Sequence, residues 1–176
     1  SLTGFFLVDG EIFQFIGANA PSFDAILPAG DEESYQAKYT EVQPAADWMS
    51  EGFDDHNWQS GAAPFGNIDG VSKTIWRSRN IWMRRTFDLN TTEFSAPLLK
   101  LQYDDDVNVY LNGELIYTAG CCAGKYRLLP LTDKMKSLLK KGRNVFAIHV
   151  VNTGGGALLD VGMVQKSAPS TQQIIK

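Results

Sequence analysis

Apolar and polar residues alternate along residues 101–117, LQYDDDVNVYLNGELIY, and this pattern predicts a β-hairpin. Asn112-Gly113 predicts a type I′ turn, because that turn needs positive φ at both central residues. A two-residue loop then pairs Leu111 with Glu114, Val109 with Ile116, and Val107 with Thr118. Both faces of the hairpin carry apolar side chains, so we expect it inside a sheet and not at an edge.

Shorter runs of the same kind predict further strands. Residues 4–8 and 11–16 flank Asp9-Gly10 and predict a second hairpin. Single strands are expected at residues 35–42, 81–87, 98–103, 144–151 and 157–164, the fourth of them central because it has few polar residues. Residues 17–30 are rich in Ala, Pro, Gly and Asn and predict a loop, while the aromatic residues of segment 47–66 are expected to anchor an irregular loop.

One segment, residues 133–140, predicts a helix. Met135, Leu138 and Leu139 form an apolar face at helical spacing. Thr132 or Asp133 can cap its start, and Gly142 follows its end. About eight short strands and one short helix indicate an all-β protein, an antiparallel β-sandwich.

Length and charge narrow the function classes. The chain has 176 residues, enough for one domain with a sizeable core. Its net charge of -4 argues against nucleic acid as a partner. No apolar run is long enough to span a bilayer, so no membrane-spanning segment is expected. The chain opens at Ser1 on a strand-like run, and we expect it to be part of a longer polypeptide.

Several motifs occur in an order that resembles a known family: FDDHNW at 53–58, GAAPFG at 61–66, IWMRRTF at 81–87, DDDVNVYLNG at 104–113, and LLKKGRNVFAIHVVNTGGGALLD at 138–160. Over about residues 35–165, this order resembles galactose-binding-like jelly rolls, including the N-terminal sugar-binding-like domains of glycoside hydrolase family two. The resemblance implies a jelly-roll sandwich that serves a larger carbohydrate-active enzyme.

The first seventeen residues, SLTGFFLVDGEIFQFIG, resemble the N-terminal region of bacterial glutaminase A-like proteins. The resemblance implies a large, exported, multidomain parent, located in the periplasm or at the cell surface. Residues 1–34 would belong partly to a flanking domain, 35–166 would form the sandwich, and 167–176 would link it to the rest. The main partner implied is therefore the rest of the same polypeptide, including its catalytic domain.

Catalytic residues are not evident in the sequence. The two histidines are His56, in a turn, and His149, within an apolar strand where a packed side chain is expected. A glycosidase needs two carboxylates held at a fixed gap, which sequence-adjacent aspartates do not establish. Hydrolase and nucleotide-binding motifs are also missing. We therefore expect this chain not to be an enzyme.

Three consecutive aspartates, Asp104, Asp105 and Asp106, are the first candidate site. The hairpin pairing places them beside the loop that holds Cys121-Cys122. Calcium favours several oxygen ligands, and jelly rolls of the resembled type often carry a structural calcium. The alternatives are that these carboxylates cap backbone N–H groups and pair with arginines such as Arg77, Arg79 or Arg127, or that they contact a sugar.

The adjacent cysteines leave their redox state open. A disulfide between neighbouring residues is strained, so we expect two small loop residues without metal or redox chemistry.

Carbohydrate binding is the second candidate activity. It needs an aromatic platform and hydrogen-bonding groups nearby. The candidates in or beside loops are Trp76, Arg77, Arg79, Tyr126 and Asn152. Two functions follow: a non-catalytic module that supports or positions a catalytic domain, or a carbohydrate-binding module that targets its parent enzyme to a glycan.

Overall fold

The structure is a computed structural model that describes residues 21–168 and the backbone of residues 3–8 and 11–16. In these residues the chain forms fourteen strands and one helix. The strands are β1 (Thr3–Val8), β2 (Glu11–Ile16), β3 (Phe23–Leu27), β4 (Gln36–Thr40), β5 (Gln59–Ala62), β6 (Phe65–Gly66), β7 (Thr74–Ile75), β8 (Asn80–Leu89), β9 (Leu98–Asp104), β10 (Asp106–Leu111), β11 (Glu114–Ala119), β12 (Ala123–Pro130), β13 (Gly142–Val151) and β14 (Leu158–Lys166), and the helix is α1 (Asp133–Leu138). The predicted all-β sandwich with one short helix is confirmed.

Two sheets build the sandwich. Sheet A has the order β2-β1-β12-β9-β14-β6-β7, with β3 also paired to β14. Sheet B has the order β11-β10-β13-β8-β4-β5. Only β1–β12 and β6–β7 are parallel among the pairs described. The strand of residues 144–151 is central as predicted, because β13 lies between β10 and β8.

The core lies between the sheets and follows the alternation of their strands. Sheet A contributes residues such as Leu101 and Val161, and sheet B contributes residues such as Met83 and Ile148, all of them fully buried. Alternate side chains point away from the core, so each sheet also has an outer face. These outer faces carry the polar networks of the molecule.

The helix starts at its predicted cap but ends early. Thr132 Oγ1 accepts a hydrogen bond from the backbone N–H of Met135, and Leu139 is already extended. Two buried asparagines explain this end. Asn112 donates to the Leu138 carbonyl and to Asn144 Oδ1, which also accepts from the backbone N–H of Lys140. The hairpin turn and the helix end are thus joined by side-chain amides.

The β10–β11 hairpin has the predicted turn but a different pairing. Asn112 and Gly113 have φ values of 50° and 90°, as a type I′ turn requires. A β-bulge at Ile116 shifts the register, so that Val109 pairs with Tyr117 and Val107 with Ala119. The predicted pairs Val109–Ile116 and Val107–Thr118 were therefore wrong. The interior position was also wrong, since β11 is the edge strand of sheet B.

Five strands escaped the sequence pattern. Three of them are short, namely β5 and β6, which lie in the segment predicted as an irregular loop, and β7; the other two are β3 and β12. β3 lies in the segment predicted as a loop, and it forms because the end of β14 offers it an antiparallel partner. Gly162 of β14 lets the end of β3 approach β14 closely. A Cβ atom at this position would stand 2.6 Å from the Leu27 carbonyl oxygen. β12 was missed because Gly124 interrupts its alternation and Pro130 ends it. β3 and β12 both place polar residues on the outer face of sheet A.

Segment 45–58 covers part of the outer face of sheet B. Trp48, Phe53 and Trp58 pack there around Trp82, which confirms the predicted anchoring role of these aromatics. His149 stacks on Trp82 with ring centroids 4.5 Å apart, and its Nε2 lies 2.9 Å from Asn80 Oδ1. Burial lowers the pKa of His149. The histidine is a packed side chain, as the sequence predicted.

Arg84 ties the same segment to β8. Its side chain is fully buried and donates to Asp55 Oδ2 at 2.8 Å. It also donates to the backbone carbonyls of Trp48 at 2.6 Å and Ser50 at 2.9 Å. One charged side chain thereby supplies three hydrogen bonds that hold an irregular segment on the sheet.

Candidate functional site

The three aspartates lie at one end of the sandwich, where β9 passes into β10. Asp105 is buried, and its Oδ2 accepts hydrogen bonds from both the backbone N–H and the hydroxyl of Thr153, each at 2.7 Å. Asp106 Oδ1 accepts from the backbone N–H of Cys121 at 2.9 Å. The expected capping of backbone N–H groups is thus confirmed for these two residues. Asp105 joins the start of β10 to the loop after β13.

The carboxylates of this end differ in pKa. Burial, followed by the hydrogen bond and the charge of Asp105, raises the pKa of Asp104 to about 6. The Thr153 hydroxyl and backbone N–H lower the pKa of Asp105. The pair therefore combines one easily protonated carboxyl with one firmly ionised carboxylate.

Calcium requires a cluster of oxygen atoms around one point. Among the described residues, the group of candidate ligand atoms within 4.8 Å of one another comprises Asp105, Cys121 and Cys122, and not the three aspartates. The arrangement therefore does not fit a calcium ion held by all three carboxylates. Calcium at this end stays a prediction that the geometry does not favour.

The two cysteines form a disulfide with each other, Cys121–Cys122, in the turn between β11 and β12. The redox state that the sequence left open is thus a disulfide in this structure, between two cysteines that lie in a loop as expected. Both side chains are exposed, and Cys121 Sγ lies 3.5 Å from Asp105 Oδ1. The predicted meeting of the aspartates with the cysteine loop is confirmed by this contact.

Three of the predicted sugar-contacting residues lie at the same end of sheet B. The backbone N–H of Asn152 donates to the Arg79 carbonyl at 2.7 Å, which joins the chain before β8 to the chain after β13. The backbone N–H of Arg77 donates to Glu41 Oε1 at 3.0 Å. In the described part of the chain, the ion pairs do not join the aspartates to Arg77, Arg79 or Arg127.

Trp76 lies in the core and not in an exposed loop. Its side chain is fully buried, so the ring offers no surface to a sugar. Trp76 is buried because β7, which ends one residue earlier, pairs with β6. The backbone N–H of Trp76 continues this pairing by donating to the Gly66 carbonyl. The expectation of a sugar platform at Trp76 is corrected by this burial.

Tyr126 lies apart from the other candidates, on the outer face of sheet A. It lines a groove of about 470 Å³ that we call the Tyr126 groove. The lining residues are Pro21, Ser22, Phe23, Asp31, Glu32, Lys100, Lys125, Tyr126, Leu128 and Val164. Such a volume and mixed lining suit a small polar ligand with one apolar face.

Charged groups set the polarity of the Tyr126 groove. Lys100 Nζ donates to both carboxylate oxygens of Asp31, at 2.9 and 2.8 Å, and to Glu32 Oε1 at 2.9 Å. The same ammonium lies 4.7 Å from the centroid of the Tyr126 ring. Burial opposes the charged form of Lys100, but the hydrogen bonds that its ammonium donates to the two carboxylates, and their negative charges, outweigh burial and raise its pKa. The groove therefore holds the Lys100 ammonium between two carboxylates and beside an aromatic ring, with Lys125 as a second cation in its lining.

A buried carboxylate, Asp160, lies next to the Tyr126 groove and binds the Tyr126 hydroxyl. It has no exposed surface and accepts hydrogen bonds from the hydroxyls of Tyr35 and Tyr126 and from the backbone N–H groups of Gly30 and Val161. Burial raises the pKa of Asp160, and these hydrogen bonds oppose the rise. Sequence reasoning did not single out this residue, although a charged residue within LLDVGM was a usable signal.

The fold and these sites define an all-β sandwich module with a polar groove on one outer face and a cysteine-aspartate cluster at one end. The chain is similar to a beta-glucuronidase of Bacteroides uniformis, at 17% identity and a TM-score of 0.59, over 83% of this chain and 18% of that chain. It is also similar to a glycosyl hydrolase family 2 member of Bacteroides cellulosilyticus DSM 14838, at 14% identity and a TM-score of 0.54, over 76% of this chain and 20% of that one. A beta-glycosidase of Bacteroides vulgatus matches at 14% identity and a TM-score of 0.53, over 84% and 20%.

These likenesses show the fold. The chain spans about a fifth of the length of each of these structures. No family model matches the chain. No curated protein matches it either. Within the described residues, no helix has the length and apolar character needed to cross a bilayer.

Proposed function

We propose that this chain is a non-catalytic β-sandwich module of a larger, exported bacterial enzyme, and that it supports or positions the catalytic part. The observation that carries the proposal is the match of this fold to about a fifth of much longer glycosidases. We further propose a glutaminase A-like parent, because residues 1–17 resemble that family. The parent would then be a hydrolytic enzyme of the periplasm or cell surface, with the rest of the polypeptide as the main partner of this module.

The use of the carboxylates supports a structural role. Asp160 is enclosed by four donors, and Asp105 and Asp106 hold backbone N–H groups. Asp31 and Glu32 both bind Lys100. A pair of carboxylates for glycoside hydrolysis must face each other across an open cleft. These groups instead fix loops and strands to one another.

The Tyr126 groove favours a second candidate function, carbohydrate binding. Its aromatic ring and its charged groups are the chemical elements with which proteins hold sugars. The ring is partly exposed, while its hydroxyl is held by Asp160. A sugar would therefore meet the face of the ring and the carboxylates of Asp31 and Glu32.

Calorimetric titration with galactose-, glucose-, mannose- and glucuronic acid-type sugars separates the two functions. The supporting role predicts no saturable heat with any sugar. Saturable heat would instead favour the carbohydrate-binding module, and Asp31→Asn, which keeps the shape of the groove, should then weaken binding by about tenfold, the loss of roughly one charged hydrogen bond. Asp24→Asn, the same change at an exposed position of β3, is the matched control.

A further inference from the structure

Two sulfur atoms and one carboxylate oxygen lie together at the end of the sandwich. The Sγ atoms of Cys121 and Cys122 and one carboxylate oxygen of Asp105 all lie within 4.8 Å of one another. Thiolates bind soft and borderline cations such as Zn²⁺, and zinc also binds carboxylate oxygens. The donor set therefore differs from the all-oxygen set that calcium takes.

Separate hydrogen bonds hold these donors in place. Asp105 is fixed by Thr153 through two hydrogen bonds of 2.7 Å, which use its Oδ2 and leave Oδ1 toward Cys121 Sγ at 3.5 Å. The backbone of Cys121 is fixed by Asp106 at 2.9 Å. Neither anchor involves the sulfur–sulfur bond, so breaking that bond removes none of the atoms that make these hydrogen bonds.

We propose that Cys121, Cys122 and Asp105 form a redox-gated site for a thiophilic divalent cation such as Zn²⁺. In the oxidised chain the two sulfurs are bonded to each other, and the site is closed. A dithiol reductant supplies two electrons and two protons, so that the sulfur–sulfur bond breaks, two thiols form, and the reductant becomes a disulfide. The cation then displaces the two thiol protons and binds two thiolates and Asp105 Oδ1, with water as the fourth ligand. This site is independent of the proposed function.

The test uses the full chain, reduced with dithiothreitol, freed of reductant under anaerobic conditions, and titrated with Cd²⁺ and Zn²⁺. The reduced chain should bind one equivalent, with the ultraviolet charge-transfer absorption of Cd²⁺–thiolate bonds, and release thiol protons. The oxidised chain should show neither signal. Calcium in excess should not displace the bound cation.

Variants assign the ligands. The double change Cys121→Ser and Cys122→Ser should abolish the absorption, while Asp105→Asn should keep it and weaken binding by about tenfold or more. Asp133→Asn removes the same charge from an exposed helix residue and should bind as the unmodified chain does. Absence of one-equivalent binding to the reduced chain, equal binding to the oxidised chain, or an unchanged affinity in Asp105→Asn would overturn the proposal.

Discussion

Asp160→Ala is expected to lower the free energy of unfolding by roughly 3–5 kcal/mol. The variant leaves two hydroxyls and two backbone N–H groups without their buried acceptor. Each such group costs about 1–3 kcal/mol when it finds no other partner. Urea unfolding measures the loss, which should also appear as a fall of about 10 °C in Tm.

Asp88→Ala is the matched control, since Asp88 is exposed on β8 and its removal should change stability by less than about 0.5 kcal/mol. Similar losses in the two variants would show that the buried network does not hold the loop at residues 28–34 on sheet A. Asp160→Asn should fall between them, because the amide keeps one acceptor oxygen.

The pH profile gives a second readout for Asp160. Burial raises the native pKa of this carboxyl above its ordinary value near 3.9, so the native state disfavours the ionised form. The stability that this difference in pKa contributes is fully present below the pKa of the unfolded chain, which is near 3.9. It is lost as the pH rises through the higher native pKa. Asp160→Asn should remove this part of the pH dependence. An unchanged profile would contradict the assignment.

Asp55→Ala is expected to cost roughly 3–5 kcal/mol, because it leaves the buried guanidinium of Arg84 without its carboxylate. The Arg84 side chain has 0% exposure, and Asp55 has 20%. The lost carboxylate would free segment 45–58 from the outer face of sheet B. Chemical unfolding measures the loss, and near-ultraviolet circular dichroism reports on Trp48 and Trp58 in that segment.

The neighbouring residue provides a close control. Asp54→Ala removes the same side chain one position earlier, where Asp54 is 74% exposed and pairs with the exposed His56. Its loss should be much smaller than that of Asp55→Ala, because solvent screens an exposed ion pair. The double change Asp55→Ala and Arg84→Met should recover part of the stability, since no unpaired charge then remains buried. Equal losses for Asp54→Ala and Asp55→Ala would refute the account of this ion pair.

The sequence was most informative where alternation and turn chemistry agreed. Asn112-Gly113 located the hairpin, and residues 81–87 form the predicted strand, with Trp82 and Met83 in packing clusters on opposite faces. The bulge at Ile116 could not be predicted, because the position of an extra residue depends on the packing of both strands. β3 likewise depends on a partner 136 or more residues away in the chain, which local pattern does not encode.

The candidate sites were predicted less well, for a physical reason. The meeting of Asp105 with Cys121 followed from hairpin pairing, which is local. The burial of Trp76 and the Tyr126 groove depend on long-range contacts between loops and sheets. Asp160 joins residues 30, 35 and 126, so its network exists only in the folded chain. Spacing in the sequence carries no signal for such a cluster.

The most direct test of the proposed supporting role is hydrogen–deuterium exchange of residues 21–168, measured in the isolated chain and again within the full-length parent. Packing against the catalytic part should protect one continuous surface of the sandwich in the parent, while the strands of the core exchange equally slowly in both. The account predicts that localised protection. Exchange that is identical at every peptide in the two proteins would contradict it, because a module that supports or positions a catalytic domain must contact that domain.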